Sequence, residues 1–149
     1  MTQDAHIQPR TGVVIVTHAD YGAHLLHAAE FILGPQTGCA ALCVDNTQSV
    51  EAIVERLKEA VIRCNEGAGV LLVTDMFGGT PTNLSLSLLG QEPPLCDLEV
   101  VTGVNLPMLL KALGTRHLGP EQLAAEAKKA GGQGIVVAGE LLRSRVKGS

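Results

Sequence analysis

Aromatic side chains are nearly missing: the chain of 149 residues holds no Trp, one Tyr and two Phe. Single-stranded nucleic acid needs a platform of exposed rings to stack on, so that class of partner is excluded. Basic charge is scarce too. With 11 Lys and Arg against 15 Asp and Glu, the net charge of -4 leaves no electrostatic footprint for nucleic acid or an anionic membrane. No apolar run is long enough to span a bilayer, and the polar start at Met1 does not read as a signal peptide. A cytoplasmic protein is expected.

Several chemical motifs are absent as well. The four cysteines, Cys39, Cys43, Cys64 and Cys96, form neither a Cys-x-x-Cys pair nor a Cys/His metal spacing, and read as small core residues in a reducing compartment. There is no Gly-x-x-x-x-Gly-Lys-[Ser/Thr] loop and no Gly-x-Ser-x-Gly elbow. The Gly131-Gly-Gln-Gly134 stretch lacks the strand-before-helix setting of a dinucleotide fingerprint. Nucleotide hydrolysis and α/β-hydrolase chemistry are therefore unsupported, and neither a cofactor nor a metal is expected.

What is present is a rhythm of short apolar runs and helical patterns. Apolar residues make up 46% and charged residues 17%, the composition of a globular protein. One domain over residues 1–149 is expected, with 1–10 and 143–149 as flexible tails. Strands are predicted over 12–17, 38–44, 69–74, 95–102 and 135–138. Helices are predicted over 20–33, 49–64, 80–89, 105–113 and 120–130. In the first helix Asp20 is a candidate N-cap, and Leu25, Ala29 and Ile32 a candidate buried stripe. The second carries the clearest pattern, with Val50, Ile53, Val54, Leu57 and Val61 at helical spacing. Asp97 and Glu99 make the fourth strand polar, as suits a sheet edge. This order gives an α/β fold: a doubly wound, mostly parallel open sheet with helices on both faces.

The site follows from that topology. In the common doubly wound order the first and third strands are neighbours, and ligands bind at their C-terminal ends, where the winding reverses. The first strand, Gly12-Val-Val-Ile-Val-Thr17, ends at His18. The third, Val70-Leu-Leu-Val-Thr74, ends at Asp75 and runs on into Met76-Phe-Gly-Gly-Thr-Pro-Thr-Asn83. A carboxylate bonded to one ring nitrogen fixes a histidine's tautomer and leaves the other nitrogen nucleophilic. His18 is thus the candidate phosphoryl acceptor and Asp75 its orienting partner. Gly78 and Gly79 can turn the backbone so that amides there and at the following helix start converge on an anion. Thr80 can add a hydroxyl or cap the helix, with Pro81 in its first turn. Thr17 is counted with Gly78, Gly79 and Thr80 in the phosphate surroundings.

Other polar groups carry less. His24 and His27 lie one turn apart but nothing completes a metal site, and His6 and His117 receive no role. Asn83 and Asn105 either satisfy a turn or helix start or touch a partner. Tyr21 and Phe77 flank the site, as an apolar docking rim or as core residues.

At these residues the chain resembles the IIA phosphocarrier domain of the mannose family of the bacterial phosphoenolpyruvate:sugar phosphotransferase system. The likeness runs from about Gly12 to Gly134. It is strongest at Val14-Ile-Val-Thr-His18, Leu71-Leu-Val-Thr-Asp-Met-Phe-Gly-Gly-Thr-Pro-Thr-Asn83 and Val101-Thr-Gly-Val-Asn-Leu-Pro-Met-Leu109. The resemblance implies a phosphohistidine at His18, oriented by Asp75. It implies the histidine-containing phosphocarrier protein as donor, a IIB protein as acceptor, and at most a peripheral place beside a membrane permease. It also implies a homodimer that exchanges its last strand, which would then run antiparallel. Where the family usually has glycine after the histidine, this chain has Ala19 and then Asp20. The sequence ends without the Ala/Pro-rich linker and IIB domain of many sugar-transporting members, so a stand-alone carrier is expected. Two further roles remain open: a regulatory module whose His18 phosphorylation state controls binding to a target protein, and a phosphocarrier for a dihydroxyacetone kinase.

Overall fold

Four runs dominated by Val, Leu, Ile and Ala form the sheet of the computed structural model, which describes residues 8–148. They are β1 (Gly12–His18), β2 (Cys39–Val44), β3 (Val70–Thr74) and β4 (Leu98–Thr102). His6, residues 1–7 of the expected amino-terminal tail, and Ser149 lie outside the described residues. All pairings are parallel and the order is β2-β1-β3-β4. The polar β4 lies on an edge, as Asp97 and Glu99 suggest.

Six helices connect and follow the strands: α1 (Tyr21–Leu33), α2 (Val50–Cys64), α3 (Thr80–Leu89), α4 (Leu106–Gly114), α5 (Pro120–Gln133) and α6 (Ala138–Lys147). The central strands alternate between two cores, as the period of two demands. Val14, Val16 and Leu72 face α2 and α3, packing on Leu57, Val61 and Leu88. Val13, Ile15, Leu71 and Val73 face α1, α4 and α5, packing on Ala29, Leu109 and Leu123. Each fully buried aliphatic side chain contributes about 1.5–3 kcal/mol. Gly12 is needed where α2 ends against β1, because a Cβ there would lie 2.4 Å from the Cys64 carbonyl oxygen.

The ends of the sheet are fixed differently. At the N-terminal ends of β1 and β2, buried Arg116 donates to the carbonyls of Thr11 (2.8 Å), Thr37 (2.6 Å) and Gly38 (3.2 Å). At the C-terminal ends the chain leaves β1 for β2 on one side and returns to β3 on the other. The first crevice between neighbours wound in opposite directions is therefore between His18 and Asp75.

Four sequence expectations are corrected. Ile32 is 56% exposed, and α1 buries Ala29 with Leu25 and Leu26 packed beside it. Val50 is exposed too, leaving Ile53, Leu57 and Val61 to anchor α2, which Ser49 caps by accepting from the Ala52 amide. Residues 135–138 form no strand of this sheet: α5 runs on to Gln133, and Ala138 already starts α6. Residues 143–147, expected as tail, belong to α6, whose Glu140 near the start and Arg145 and Lys147 near the end suit the helix dipole. The sheet is accordingly parallel throughout. No helix among the described residues is long and apolar enough to cross a membrane.

Candidate functional site

His18 is the last residue of β1, and Asp75 directly follows β3. The register pairs Val16 with Thr74, so both side chains emerge together above the sheet. Asp75 Oδ2 lies 2.7 Å from His18 Nδ1 and also accepts the His18 backbone N–H at 2.9 Å. Its other oxygen, Oδ1, accepts the Met76 N–H at 3.0 Å. Three donors thus fix one carboxylate. Burial alone raises the Asp75 pKa, but the hydrogen bonds from the His18 backbone and ring, the ring's charge and the Met76 amide together hold it below its ordinary value. An ionised carboxylate can only accept, so the neutral ring carries its hydrogen on Nδ1 and leaves the lone pair on Nε2.

The glycine turn meets that free nitrogen. Gly78 adopts a left-handed conformation (φ 86), which glycine tolerates without steric cost. At Gly79 a Cβ would lie 2.7 Å from His18 Cε1 and 3.2 Å from Nε2. Only a residue without a side chain lets the start of α3 come against the nucleophilic edge of the ring. Gly79, not Thr80, is the N-cap of α3; Thr80 makes no capping bond, and Pro81 has no N–H to lose. The Thr80 and Thr82 amides of this first turn lack intrahelical acceptors, the condition for holding an anion. Thr17 does not join them. It is fully buried, and its hydroxyl accepts the Gly22 amide at 2.7 Å, so it seats the start of α1.

Gly79→Ala tests this fit. The added methyl must displace the ring or the turn, costing about 1–3 kcal/mol of stability, as overpacked sites do. Thermal unfolding and the NMR signals of the His18 ring should both shift. Unchanged ring signals would mean that the turn does not hold the imidazole.

The surroundings sort the remaining candidates. Phe77 is 77% exposed, which removes the core alternative for it, and Met76 beside it is exposed as well. Tyr21 is half-exposed and donates its hydroxyl to the Val104 carbonyl at 3.1 Å, bridging α1 to the loop after β4. Asn105 caps α4 by accepting from the Met108 amide, and donates to the Gly131 carbonyl. Asn83 is exposed. Ala19 adopts a left-handed φ of 51, strained for a residue with a Cβ by about 1–2 kcal/mol. Asp20 holds the N-cap position of α1, as expected, but its side chain makes no capping bond; its carboxylate accepts from His24 Nε2 at 3.1 Å on the surface. His27 and His117 are exposed.

Sequence inspection missed a buried cluster of hydroxyls beneath the site. Thr82 Oγ1 lies 2.6 Å from Thr74 Oγ1 and 3.4 Å from Thr102 Oγ1, and donates to the Met76 carbonyl at 2.6 Å. The available signal was a threonine near the C-terminal end of β1, β3 and β4 alike, with Thr82 in the helix that follows the glycine turn.

Comparison with known proteins bears on this geometry. Residues 12–130 match the EIIA-man family, described as PTS system fructose IIA component. The fructose-specific EIIA component of Bacillus subtilis (strain 168) is 29% identical over 131 residues, covering 87% of this chain and 88% of that protein. The mannose-specific EIIAB component of Escherichia coli (strain K12) is 30% identical over 125 residues, covering 83% of this chain; the match spans only 38% of that longer protein. A crystal structure of the phosphotransferase system component EIIA from Streptococcus agalactiae superposes with a TM-score of 0.78 at 26% identity, over 87% of this chain and 98% of that one.

Proposed function

This chain belongs to the EIIA-man family, a family of phosphotransferase-system IIA components, and on that premise we propose that it is a phosphocarrier acting through His18. The donor is the histidine-containing phosphocarrier protein and the acceptor a IIB protein. The observation that carries the proposal is the His18 ring itself. Nδ1 is tied to Asp75, and Nε2 is turned toward the glycine start of α3.

Transfer then needs no proton to move. The Nε2 lone pair attacks phosphorus as the bond from phosphorus to the donor's histidine nitrogen breaks, and the donor ring leaves with that electron pair. His18 gains a positive charge with its hydrogen still on Nδ1, where the Asp75 carboxylate stabilises it. The amides at the start of α3 face the phosphoryl oxygens. Reversal toward the acceptor uses the same contacts. The exposed Met76, Phe77 and Tyr21 supply an apolar rim that suits a protein partner. The curated relatives are named for mannose, fructose and sorbose, so no single sugar follows.

The proposal extends to a cytoplasmic homodimer. The β4 edge has no strand partner among the described residues, Ile135, Val136 and Val137 are exposed, and α6 buries none of its residues. An extended 135–137 segment crossing to a second copy would cover both. Sedimentation equilibrium of the full chain is expected to return twice the monomer mass; a monomer at all concentrations would remove the exchange.

The function is tested by incubating the protein with phosphoenolpyruvate, enzyme I and the histidine phosphocarrier, then recording intact mass. One acid-labile phosphoryl group, located on the peptide that contains His18, is the expected result. No gain from a donor set that labels another IIA protein would overturn the proposal.

A further inference from the structure

We propose that Thr82 is a positioning residue for the His18–Asp75 pair, acting through the backbone of Met76; this rests on the role proposed for His18. Thr82 is 1% exposed and lies in the first turn of α3, so it cannot serve as a surface contact. Its hydroxyl has one hydrogen, and the Met76 carbonyl at 2.6 Å can only accept it. The neighbours at 2.6 Å and 3.4 Å, Thr74 and Thr102, must therefore donate to Thr82. One oxygen thus joins the end of β3, the end of β4, the start of α3 and the residue after Asp75.

The consequence falls on the carboxylate. Met76 is held on both sides: its N–H donates to Asp75 Oδ1, and its carbonyl accepts from Thr82. These bonds lie on the two peptide units that flank the Met76 Cα, so together they restrain the backbone turn at Met76; the N–H offered to Asp75 Oδ1 is thereby held in place, and Oδ2 is left facing His18 Nδ1. The same hydroxyl ties α3, whose first turn abuts the Nε2 edge, to the strand that carries Asp75. Orienter and cradle therefore share a single anchor. Without the hydroxyl, the Met76 carbonyl loses this hydrogen bond and the backbone turn at Met76 loses one of its two restraints.

Two substitutions separate the hydroxyl from the methyl group. Thr82→Val keeps the shape and removes the donor; Thr82→Ser keeps the donor and removes the methyl. In the full chain labelled with ¹⁵N, the neutral His18 ring of the wild type and of Thr82→Ser should carry its hydrogen on Nδ1. Thr82→Val should add a signal from the Nε2–H form and slow phosphoryl transfer by roughly ten- to a hundredfold, as small misplacements of reacting groups do. Should Thr82→Val fail to fold, Thr82→Ala against Thr82→Ser carries the same comparison. An unchanged tautomer in the folded hydroxyl-free variant overturns the proposal, and so does an equal effect in Thr82→Ser. The tautomer is read without any transfer, so a protein that takes no phosphoryl group but shows the expected shift would keep this role for Thr82 and lose the carrier function.

Discussion

His18→Ala is expected to abolish acid-labile phosphorylation while leaving a folded protein. The ring is about half exposed, with 48% of the side chain accessible, so its removal opens no cavity in either core. Asp75 is not orphaned, because the backbone N–H groups of His18 and Met76 still bond its two oxygens. Among the described histidines only His18 is hydrogen-bonded to Asp75 beside the α3 turn. His24 is turned to Asp20 on the surface of α1, and His27 and His117 are exposed. Intact mass after incubation with the donor proteins measures the loss, and the thermal unfolding curve verifies the fold. A variant that still gained an acid-labile phosphoryl group would move the acceptor to another histidine.

Asp75→Asn is expected to slow transfer by about 10²–10⁴-fold, the scale seen when a histidine loses the group that sets its tautomer. The three donors facing Asp75 explain why the change is not conservative. An amide offers one acceptor oxygen where the carboxylate offers two. Either the Met76 N–H or both His18 donors must then meet an NH₂ group. The charge that stabilises the phosphorylated ring is lost as well. Single-turnover transfer at fixed donor concentration reads the effect, and a rate within threefold of wild type would exclude Asp75 as the orienting group. Stability gives a second reading. Since the folded carboxyl titrates below its ordinary value, its stabilising contribution is complete above the unfolded-chain value of about 4 and disappears as pH falls through the folded value. Wild type and Asp75→Asn should therefore differ in thermal midpoint near neutrality and converge in strongly acidic solution.

The site was legible early because its two principal groups are placed by topology. A strand end at His18, a strand end at Asp75 and the rule that β1 and β3 are neighbours suffice to join residues 57 apart in the chain. The Gly78–Gly79 turn was legible for a similar reason: glycine before a Thr-Pro helix start has few other uses. Thr17 was misplaced because a strand-end threonine can point into the site or beneath it. The requirement of the α1 backbone at Gly22 decided for the latter. Thr80 lost the cap to Gly79 for want of any local preference strong enough to set the helix start to one residue.

The carboxy-terminal segment marks the same boundary. Ile135, Val136 and Val137 have the β-branched composition of a strand, yet a strand exists only where an edge accepts its hydrogen bonds. Among the described residues the segment pairs with neither edge of the sheet, and it stays exposed before α6. Hydrophobic period, glycine placement and the order of elements are local properties, and they alone determined the parallel sheet, its switch point and the pairing of His18 with Asp75. Only the tertiary structure decided which ring nitrogen is free, which threonine bonds the Met76 carbonyl and which helix start approaches Nε2. Those outcomes depend on hydrogen bonds and contacts a few ångströms long between separate elements, and no pattern along the chain encodes such distances.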